Sequence, residues 1–302
     1  MTKKGLIIKA LSGFYYVRTS DGQVYQTRPR GVFRHQAQTP LVGDQVIFEA
    51  DHQEEGTILE IVERKNYLTR PPVANIDVGV IVASMVTPDL STQLLDRFLV
   101  VLASHHIEPV IYISKYDLVD EKARAQLIDL QKIYEAIGYH FIVVGGKDEV
   151  DFTEQVQNAF AKELEGRILV FMGQSGAGKS TLLNYLDPSL DLKTGETSKA
   201  LGRGKHTTRH VELIPLYGGW FADTPGFSTV DFADLSESDL SACFPEIWAE
   251  RVNCKFNTCL HQNEPKCGVK QAVQAGRIAE FRYNHYLAFL EEIQNKKPIY
   301  NR

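Results

Sequence analysis

The spacing of hydrophobic and polar positions changes twice along the chain and divides it into three parts. Residues 1–70 contain short runs in which apolar and polar residues alternate, separated by turn residues such as Ser20-Asp21-Gly22. A period of two is typical of strands that bury one face. Four or five such strands with hairpin signals predict a small β-barrel, and an OB-fold is the form that we expect.

In residues 71–230, continuously apolar runs alternate with helical patterns. Ile76–Ala83 is such a run, and Ser91–Ala103 places its apolar residues on one helical face, with Asp89 or Ser91 as the N-cap. We also predict strands at Pro109–Ile113, Phe141–Val144 and Arg167–Met172 and helices at Glu121–Ile137 and Phe152–Glu163. Strands alternating with helices predict a mostly parallel sheet covered on both faces, whose ligands bind beyond the carboxyl ends of the strands. Pro71-Pro72 is the expected linker to the barrel.

Residues 231–302 show helical patterns on either side of a short cysteine-rich loop. We predict a helix at Asp234–Ala242 and a final helix at Val269–Asn295. The final helix carries an apolar stripe at helical spacing, which we interpret as core packing rather than a binding face: Ile278, Phe281, Tyr286, Phe289 and Ile293.

Composition excludes several classes of protein. Of the 302 residues, 43% are hydrophobic and 24% are charged. These fractions are typical of soluble globular chains, not of disordered chains, collagen-like fibres or membrane channels. The longest apolar stretch, Val78–Val86, is too short to span a bilayer, and we find no signal peptide. We therefore expect a cytoplasmic protein without a membrane partner.

The net charge of −5 is unevenly distributed. Residues 1–34 carry +6 and residues 251–302 carry +5, so the middle of the chain carries −16. Basic ends on an acidic middle are expected when the ends contact a polyanion. The alternative is that these charged runs are only solvated surfaces.

A glycine-rich segment follows the strand that ends at Met172 and precedes a helical pattern. This context, strand then loop then helix, is that of a phosphate-binding loop. Its backbone amides can hold the β-phosphate, Lys179 can reach the β- and γ-phosphates, and the Ser180 hydroxyl can bind Mg²⁺. The predicted nucleotide-binding residues here are Gly173, Gln174, Ser175, Gly176, Ala177, Gly178, Lys179, Ser180 and Thr181.

A second motif, Asp223-Thr224-Pro225-Gly226, follows the apolar run Trp220–Ala222. An aspartate at a strand end can hold the Mg²⁺ shell, and the amide of Gly226 can contact a γ-phosphate and lose it on hydrolysis. The tetrapeptide is a weak signal alone and a strong one beside a phosphate-binding loop.

A third motif, Ser114-Lys115-Tyr116-Asp117, ends the strand Pro109–Ile113. The Asp117 carboxylate can accept from the ring N–H and the amino group of guanine, and the Lys115 stem can pack along the base. Adenine lacks this pair of donors, so the motif favours GTP over ATP. Ser114 stands where Asn is usual, which we expect to weaken a supporting hydrogen bond. A helix-capping turn is the alternative interpretation, and Gly145-Gly146-Lys147 is a candidate further loop at the base.

The order of these motifs is unusual, because the guanine motif precedes the phosphate loop. A parallel sheet tolerates such a permutation, since the loops still meet at one edge. Between the phosphate loop and Asp223, the basic segment 202–210 is the natural first switch, in which Thr207 or Thr208 would complete the Mg²⁺ shell.

Three of the four cysteines lie within fourteen residues, in a spacing of Cys254-x4-Cys259-x-His261-x5-Cys267. Three thiolates and one imidazole form a full tetrahedral set, which predicts a structural Zn²⁺ site with no position left for catalytic water. Incidental buried cysteines are the alternative. Cys243 lies outside this spacing and is expected in the core.

Together these segments closely resemble the RsgA family of circularly permuted GTPases, also called YjeQ, YloQ or EngC. The resemblance covers nearly the whole chain and rests on the barrel, SKYD, GQSGAGKST, GRGKHTT, DTPGF and the cysteine–histidine set. It implies an OB-fold, a permuted GTPase domain, a zinc domain, and GTP hydrolysis stimulated by the small ribosomal subunit that the family matures. Ser114 departs from the commoner Asn of the family.

The resemblance and imidazole chemistry suggest His206 as the group that positions the attacking water. Phe227 follows Gly226 where Ras-like enzymes carry a glutamine, so the intrinsic rate is expected to be slow. The alternative is that His206 contacts only RNA phosphate or solvent. The predicted catalytic residues are Lys179, His206, Thr207 and Thr208.

We therefore predict a multidomain chain: an OB-fold RNA-binding barrel at 1–70, a circularly permuted α/β P-loop GTPase domain at 71–230 and a helical zinc-binding domain at 231–302. It is expected to be a monomer that binds GTP or GDP with Mg²⁺ (Ser180, Thr208, Asp223) and one structural Zn²⁺. We expect it to bind the small ribosomal subunit and its rRNA, and to hydrolyse GTP for late subunit maturation and its own release. The alternatives are an RNA-binding assembly module that uses the nucleotide only as a structural ligand, and an ATP-dependent P-loop kinase.

Overall fold

The structure, a computed structural model, describes residues 2–31, 33, 38–145, 151–192, 211–223, 231–232 and 235–296. Within these ranges one sheet of eleven strands runs through the N-terminal barrel and the central domain. A separate hairpin is formed by β6 (Tyr67–Thr69) and β7 (Pro72–Ala74). Of the helices that these ranges contain, none has the length and apolar character needed to cross a membrane.

The first five strands close into a barrel, which confirms the predicted OB-type fold. β1 pairs with both β2 and β4, β2 pairs with β3, and β5 pairs with β3 and β4, so the circuit closes on itself. Every second residue points into the barrel, as Ile7, Val17, Phe48 and Ile58 do, and all four are fully buried. The strands are β1 (Thr2–Leu11), β2 (Phe14–Thr19), β3 (Val24–Pro29), β4 (Gln45–His52) and β5 (Glu55–Ile61).

The central domain is a mostly parallel sheet with helices on both faces, as predicted. The strand order is β10-β9-β8-β11-β13, all parallel, with β12 antiparallel at β13. Helices α1 and α2 pack on one face and α3 and α4 on the other. Ser91 is the N-cap of α1, where its side chain accepts from the Leu94 amide. The elements are β8 (Val78–Ser84), α1 (Thr92–Ser104), β9 (Glu108–Ser114), α2 (Glu121–Ala136), β10 (His140–Val143), α3 (Phe152–Leu164), β11 (Ile168–Met172), α4 (Lys179–Leu186), β12 (Glu212–Leu216) and β13 (Gly219–Asp223).

Two features connect the barrel to the central sheet. Strand β12 pairs with β1 at Lys9 and Glu212, whose side chains form an ion pair of 2.9 Å. The predicted linker at Pro71-Pro72 instead lies in the β6–β7 hairpin, where Val73 is fully buried and pairs with Val42. The prolines therefore mark a tight turn rather than a free connection.

Within residues 235–296, the C-terminal module contains four α-helices: α5 (Glu237–Leu240), α6 (Pro245–Glu250), α7 (Gly268–Gln274) and α8 (Glu280–Gln294). The single final helix predicted at Val269–Asn295 is wrong, because the chain breaks between α7 and α8. Gly276 has a φ of +72°, a left-handed conformation that ends a helix readily only at glycine. The apolar stripe is nevertheless core as predicted: Ile278, Tyr286, Phe289 and Ile293 are buried in the module, and the partly buried Phe281 packs against the core that includes Tyr134.

A buried ionic cluster joins this module to the central domain. Arg282 of α8 donates to Asp96 of α1 at 2.6 Å and to Glu246 of α6 at 2.7 Å. Tyr134 of α2 and His285 of α8 each contact Asp96 at 2.6 Å. Burial by itself lowers the pKa of Arg282, but the two carboxylates hold it well above its usual value. The guanidinium is therefore a permanent charge whose burial requires both partners.

Candidate nucleotide site and metal centre

The glycine-rich loop connects β11 to α4 at the centre of the parallel sheet. Gly173 has a φ of +143°, and a Cβ there would lie 2.3 Å from the carbonyl oxygen of Val82 on β8. No other residue type fits so close to the neighbouring backbone. Ser175 and Gly176 are exposed at the tip, whereas Ala177 is buried. The loop therefore presents backbone to solvent, as binding of phosphate through N–H groups requires.

Lys179, the first residue of α4, folds back over this loop. Its ammonium group donates to the carbonyl oxygens of Gly173 at 2.7 Å and Gln174 at 2.8 Å. Burial lowers the pKa of Lys179 to about 8. The side chain thus lies in the loop as a partly desolvated cation, the state in which it would interact strongly with a phosphate.

Ser114 connects the predicted guanine motif to the phosphate loop. Its buried hydroxyl donates to the carbonyl oxygen of Ala177 at 2.5 Å. The hydrogen bond joins the end of β9 to the loop that follows β11, although β8 lies between these two strands. The serine therefore makes a supporting bond at the position where Asn is usual, although we expected this substitution to weaken it.

The rest of the motif presents Asp117 for a ligand. Lys115 is left-handed, with a φ of +58°, and donates to the carbonyl oxygens of Val86, at 3.2 Å, and Thr87. Asp117 is half-buried in a short 3-10 turn and makes no side-chain hydrogen bond or ion pair with the described part of the chain. Asp120, not the motif, caps α2 by accepting from Ala123 at 2.8 Å. Asp117 does not cap α2, so the alternative interpretation of the motif as a helix-capping turn is not supported.

Asp223 ends β13, which pairs with β11 in parallel. It is half-buried and lies at the same edge of the sheet as the glycine-rich loop and Asp117. Gly145 follows β10 at this edge as well. Other predicted residues lie outside the described ranges: Gly146, Lys147, the first switch with His206, Thr207 and Thr208, and Gly226 with Phe227.

The cysteine–histidine set forms one cluster. The ligand atoms of Cys254, Cys259, His261 and Cys267 all lie within 4.8 Å of one another. The Nδ1 atom of His261 is 3.5 Å from the sulfurs of Cys254 and Cys267, which are 3.8 Å apart. A tetrahedral zinc ion, with bonds of about 2.3 Å to sulfur and about 2.0 Å to nitrogen, requires separations of about 3.5 to 3.8 Å. The cluster therefore fits one such ion.

Outer side chains hold this cluster in place. From α8, the hydroxyl of Tyr283 donates to the carbonyl of His261 at 2.6 Å and that of Tyr286 to the carbonyl of Leu260 at 2.8 Å. The Glu264 carboxylate accepts from the amides of Leu260 and Gln262. Burial raises the pKa of the Cys259 thiol to about 12, so thiolates here need a cation to balance them. These contacts orient the ligands, as outer groups do at metal sites.

Two family models match the chain. The model of the RsgA GTPase matches residues 61–233, and that of the RsgA N-terminal domain matches residues 4–58. The chain belongs to the RsgA GTPase family. It is 55% identical to the small ribosomal subunit biogenesis GTPase RsgA of Enterococcus faecalis, over 99% of this chain and 98% of that protein.

Solved structures of RsgA relatives share the fold. YloQ, described as a circularly permuted GTPase, matches with a TM-score of 0.82 at 42% identity, over 99% of this chain and 98% of its own. YjeQ from Thermotoga maritima matches with a TM-score of 0.83 at 32% identity, over 98% of this chain and 100% of its own. These findings confirm the predicted resemblance, the permuted fold and the enzyme class, a GTP hydrolase.

Sequence reasoning missed several side chains that support the sites. The bond from Ser114 to Ala177 joins residues 63 positions apart, and a serine in an unusual motif position was its only signal. Of the two tyrosines behind the metal cluster, Tyr286 lay within a stripe that we interpreted only as core, and Tyr283 was not singled out. The Arg282 cluster left a weaker signal, a lone arginine within an apolar helical stripe.

Proposed function

We propose that this chain is a GTPase that binds the small ribosomal subunit and hydrolyses GTP to time its own release during late subunit maturation. The observation that carries the proposal is the 55% identity to a small ribosomal subunit biogenesis GTPase over 99% of the chain, which includes the barrel and the C-terminal module. A shared GTPase domain alone would support only nucleotide hydrolysis. Similarity of all three parts supports a shared target as well.

In this proposal, Asp117 selects guanine and the glycine-rich loop holds the phosphates. The Asp117 carboxylate accepts from the ring N–H and the amino group of the base, and the Lys115 stem packs beside it. The loop amides and Lys179 bind the β- and γ-phosphates. Ser114 keeps the base-binding and phosphate-binding loops at a constant separation, because its hydroxyl bridges them.

Magnesium is expected with the nucleotide, where it neutralises charge on the phosphates. Ser180, Thr208 and Asp223 are the residues that would hold it. Asp223 lies beside the phosphate loop, on the strand adjacent to β11. We propose His206 as the residue that positions water, with Thr207 and Thr208 in the same switch, because Phe227 has no polar group for that role.

The cysteine–histidine cluster would hold one structural Zn²⁺. Four protein ligands fill a tetrahedral shell and leave no position for a reacting water. The ion would therefore stabilise the C-terminal module, where Cys254 and Cys267 bracket the loop that α8 contacts.

The basic ends of the chain are the proposed contacts with ribosomal RNA. Residues 1–34 and 251–302 carry net positive charge on an otherwise acidic chain. Binding through phosphates predicts an affinity that falls steeply with salt. The active species is proposed to be a cytoplasmic monomer whose GTP-bound switches set the geometry towards the C-terminal module.

The test is GTP hydrolysis by the purified protein, alone and with isolated small ribosomal subunits, with ATP as the nucleotide control and Lys179→Ala as the protein control. We expect slow hydrolysis alone and strong, GTP-selective stimulation by subunits, which Lys179→Ala abolishes. Tight subunit binding without stimulation would contradict the proposal and favour the passive RNA-binding module.

A further inference from the structure

Three exposed apolar side chains lie within one stretch of nine residues in the C-terminal module. Trp248, Val252 and Phe256 are 41%, 76% and 42% exposed. In the described part of the chain, the remaining large exposed hydrophobic side chains are scattered: Tyr67, Leu118, Ile128 and Tyr217. We call residues 248–258 the aromatic edge. Its apolar groups are concentrated as at a binding surface, rather than dispersed as on ordinary protein surface.

Cations lie over both aromatic rings of this edge. The guanidinium carbon of Arg251 is 3.2 Å from the ring centre of Trp248, and the ammonium of Lys255 is 5.2 Å from that of Phe256. Trp248 keeps its 41% exposure although Arg251 covers part of the indole. Each ring therefore combines an accessible aromatic surface with a positive charge held against it.

The acids nearby do not neutralise these cations. Segment 245–277 contains three acidic residues. Glu246 pairs with Arg282, Glu250 pairs with Arg277, and Glu264 accepts from backbone amides. Within segment 245–277, all of which the structure describes, three exposed cations have no carboxylate partner: Arg251, Lys255 and Lys266. The aromatic edge therefore offers unpaired positive charge to a ligand.

The metal cluster holds half of the aromatic edge in place. Lys255 and Phe256 lie between the predicted ligands Cys254 and Cys259. The carbonyl of Phe256 accepts from the Cys259 amide at 3.2 Å, and the Lys255 amide donates to Lys266 at 3.3 Å. Trp248 is anchored on α6 by its buried neighbour Ile247. A ligand therefore meets rings that are already positioned, which reduces the entropy lost on binding.

We propose that the aromatic edge stacks on unpaired bases of a single-stranded RNA segment, with Arg251, Lys255 and Lys266 at the adjacent phosphates. A flat base matches the exposed rings, and a phosphate matches the cations that flank them. A neutral apolar protein surface would leave the cations unmatched, and duplex RNA would leave the rings without accessible bases. The inference rests on the proposed function only in that a ribosomal target supplies such RNA.

The experiment uses the intrinsic fluorescence of Trp248 in the full chain. Trp220→Phe removes the second of the two tryptophans, and the probe is a mixed-sequence single-stranded RNA decamer. We expect saturable quenching by the decamer, and weak quenching by the same sequence annealed as a duplex or by polyphosphate. Phe256→Ala should weaken binding by on the order of 10-fold, because stacking on one base contributes about that factor.

A second arm measures binding of a labelled decamer by fluorescence anisotropy. Trp248→Ala should also lower affinity by on the order of 10-fold. Tyr217→Ala, which removes an exposed aromatic ring outside the edge, is the matched control and should leave affinity unchanged. Unaltered metal content and unstimulated GTP hydrolysis would show that each variant is folded.

Equal quenching by decamer, duplex and polyphosphate would overturn the inference, because it would mean that phosphate alone is bound. Unchanged decamer affinity in Trp248→Ala would also overturn it, and if that variant bound small subunits less well, the partner would be a protein. Failure of subunits to stimulate GTP hydrolysis would overturn the proposed function without affecting the decamer result, so the two failures are distinguishable.

Discussion

The nucleotide edge, where the glycine-rich loop, Asp117 and Asp223 lie, and the cysteine–histidine cluster are both proposed ligand sites, yet they are built in opposite ways. The nucleotide edge is assembled from strand ends that are far apart in sequence, as the bond from Ser114 to Ala177 shows. Its glycine-rich loop has an exposed tip, and Lys179 donates to two backbone carbonyls of that loop. The cluster comes from one short segment and is enclosed by hydroxyls from α8. An open edge suits a ligand that exchanges, and an enclosed cluster suits one that stays.

The Arg282 cluster lies where the C-terminal module meets the central domain. It joins α1 of the central domain to α6 and α8 of the C-terminal module through buried charges. The junction with the barrel differs, because it includes a sheet pairing between β1 and β12 and a partly exposed ion pair of Lys9 with Glu212. Buried charges tolerate little displacement, since an unpaired one is costly. We therefore expect the C-terminal module to move with α1 as one unit.

Removal of a metal ligand should have the largest effect, and it should affect the two sites differently. Cys259→Ser should reduce metal content from one ion per chain to near zero and unfold the C-terminal module, because binding of structural zinc contributes about 10–16 kcal/mol in zinc-finger peptides. GTP binding should persist, since the nucleotide edge shares no residue with the cluster. Metal analysis and nucleotide titration measure both effects. Cys243→Ser, a buried cysteine outside the cluster, should retain the ion.

Removing the junction should have the next largest effect. Arg282→Met leaves Asp96 and Glu246 buried without their cation, which should lower the free energy of unfolding by about 3–5 kcal/mol. Urea denaturation measures the change. Arg277→Met, which breaks the exposed pair with Glu250, is the control and should change stability little. Equal effects of the two substitutions would mean that the buried cluster does not join the modules.

GTP binding at the nucleotide edge should depend on pH. Burial lowers the pKa of Lys179 from 10.5 to about 8 in the folded protein. Because phosphates bind the ammonium form, GTP affinity should be full below pH 8 and fall up to about tenfold per pH unit above it. Protein stability changes with pH in the opposite direction. Between pH 8 and 10.5 the unfolded chain binds more protons than the folded chain, so the contribution of Lys179 to the free energy of unfolding rises with pH. Nucleotide titration from pH 7 to 9.5 checks the first effect, and Lys179→Met should show no such step.

The smallest expected effect tests which hydrogen bond holds the loops of the nucleotide edge together. Ser114→Ala removes the hydroxyl that bridges to Ala177, at a cost of about 1 kcal/mol, so GTP and GDP affinity should both fall about fivefold. Ser104→Ala removes a hydroxyl that bonds only locally at the end of α1, and it should leave nucleotide affinity unchanged. Isothermal titration of the two variants compares them directly.

Much of this architecture could be predicted from the sequence, because its signals are local. Period-two alternation predicted the barrel strands, the position of Gly173 after β11 predicted the phosphate loop, and the cysteine spacing predicted a metal cluster. Contacts between distant segments left weaker signals. The pairing of β1 with β12 requires knowing which sheet edges meet, and the partners of Arg282 come from three helices. The break at Gly276 was missed because the apolar stripe begins only at Ile278 and does not mark where its helix starts.

We propose that guanine is recognised at Asp117 and that subunit-stimulated hydrolysis depends on this recognition. Asp117→Asn tests this proposal, because the amide nitrogen that replaces one carboxylate oxygen can donate to the C2 carbonyl of xanthine but cannot accept from the C2 amino group of guanine. Hydrolysis of GTP and of xanthosine triphosphate would be measured with and without small subunits. The account predicts that the variant loses subunit-stimulated hydrolysis of GTP and gains that of xanthosine triphosphate. Unchanged GTP hydrolysis, with no gain for xanthosine triphosphate, would contradict it.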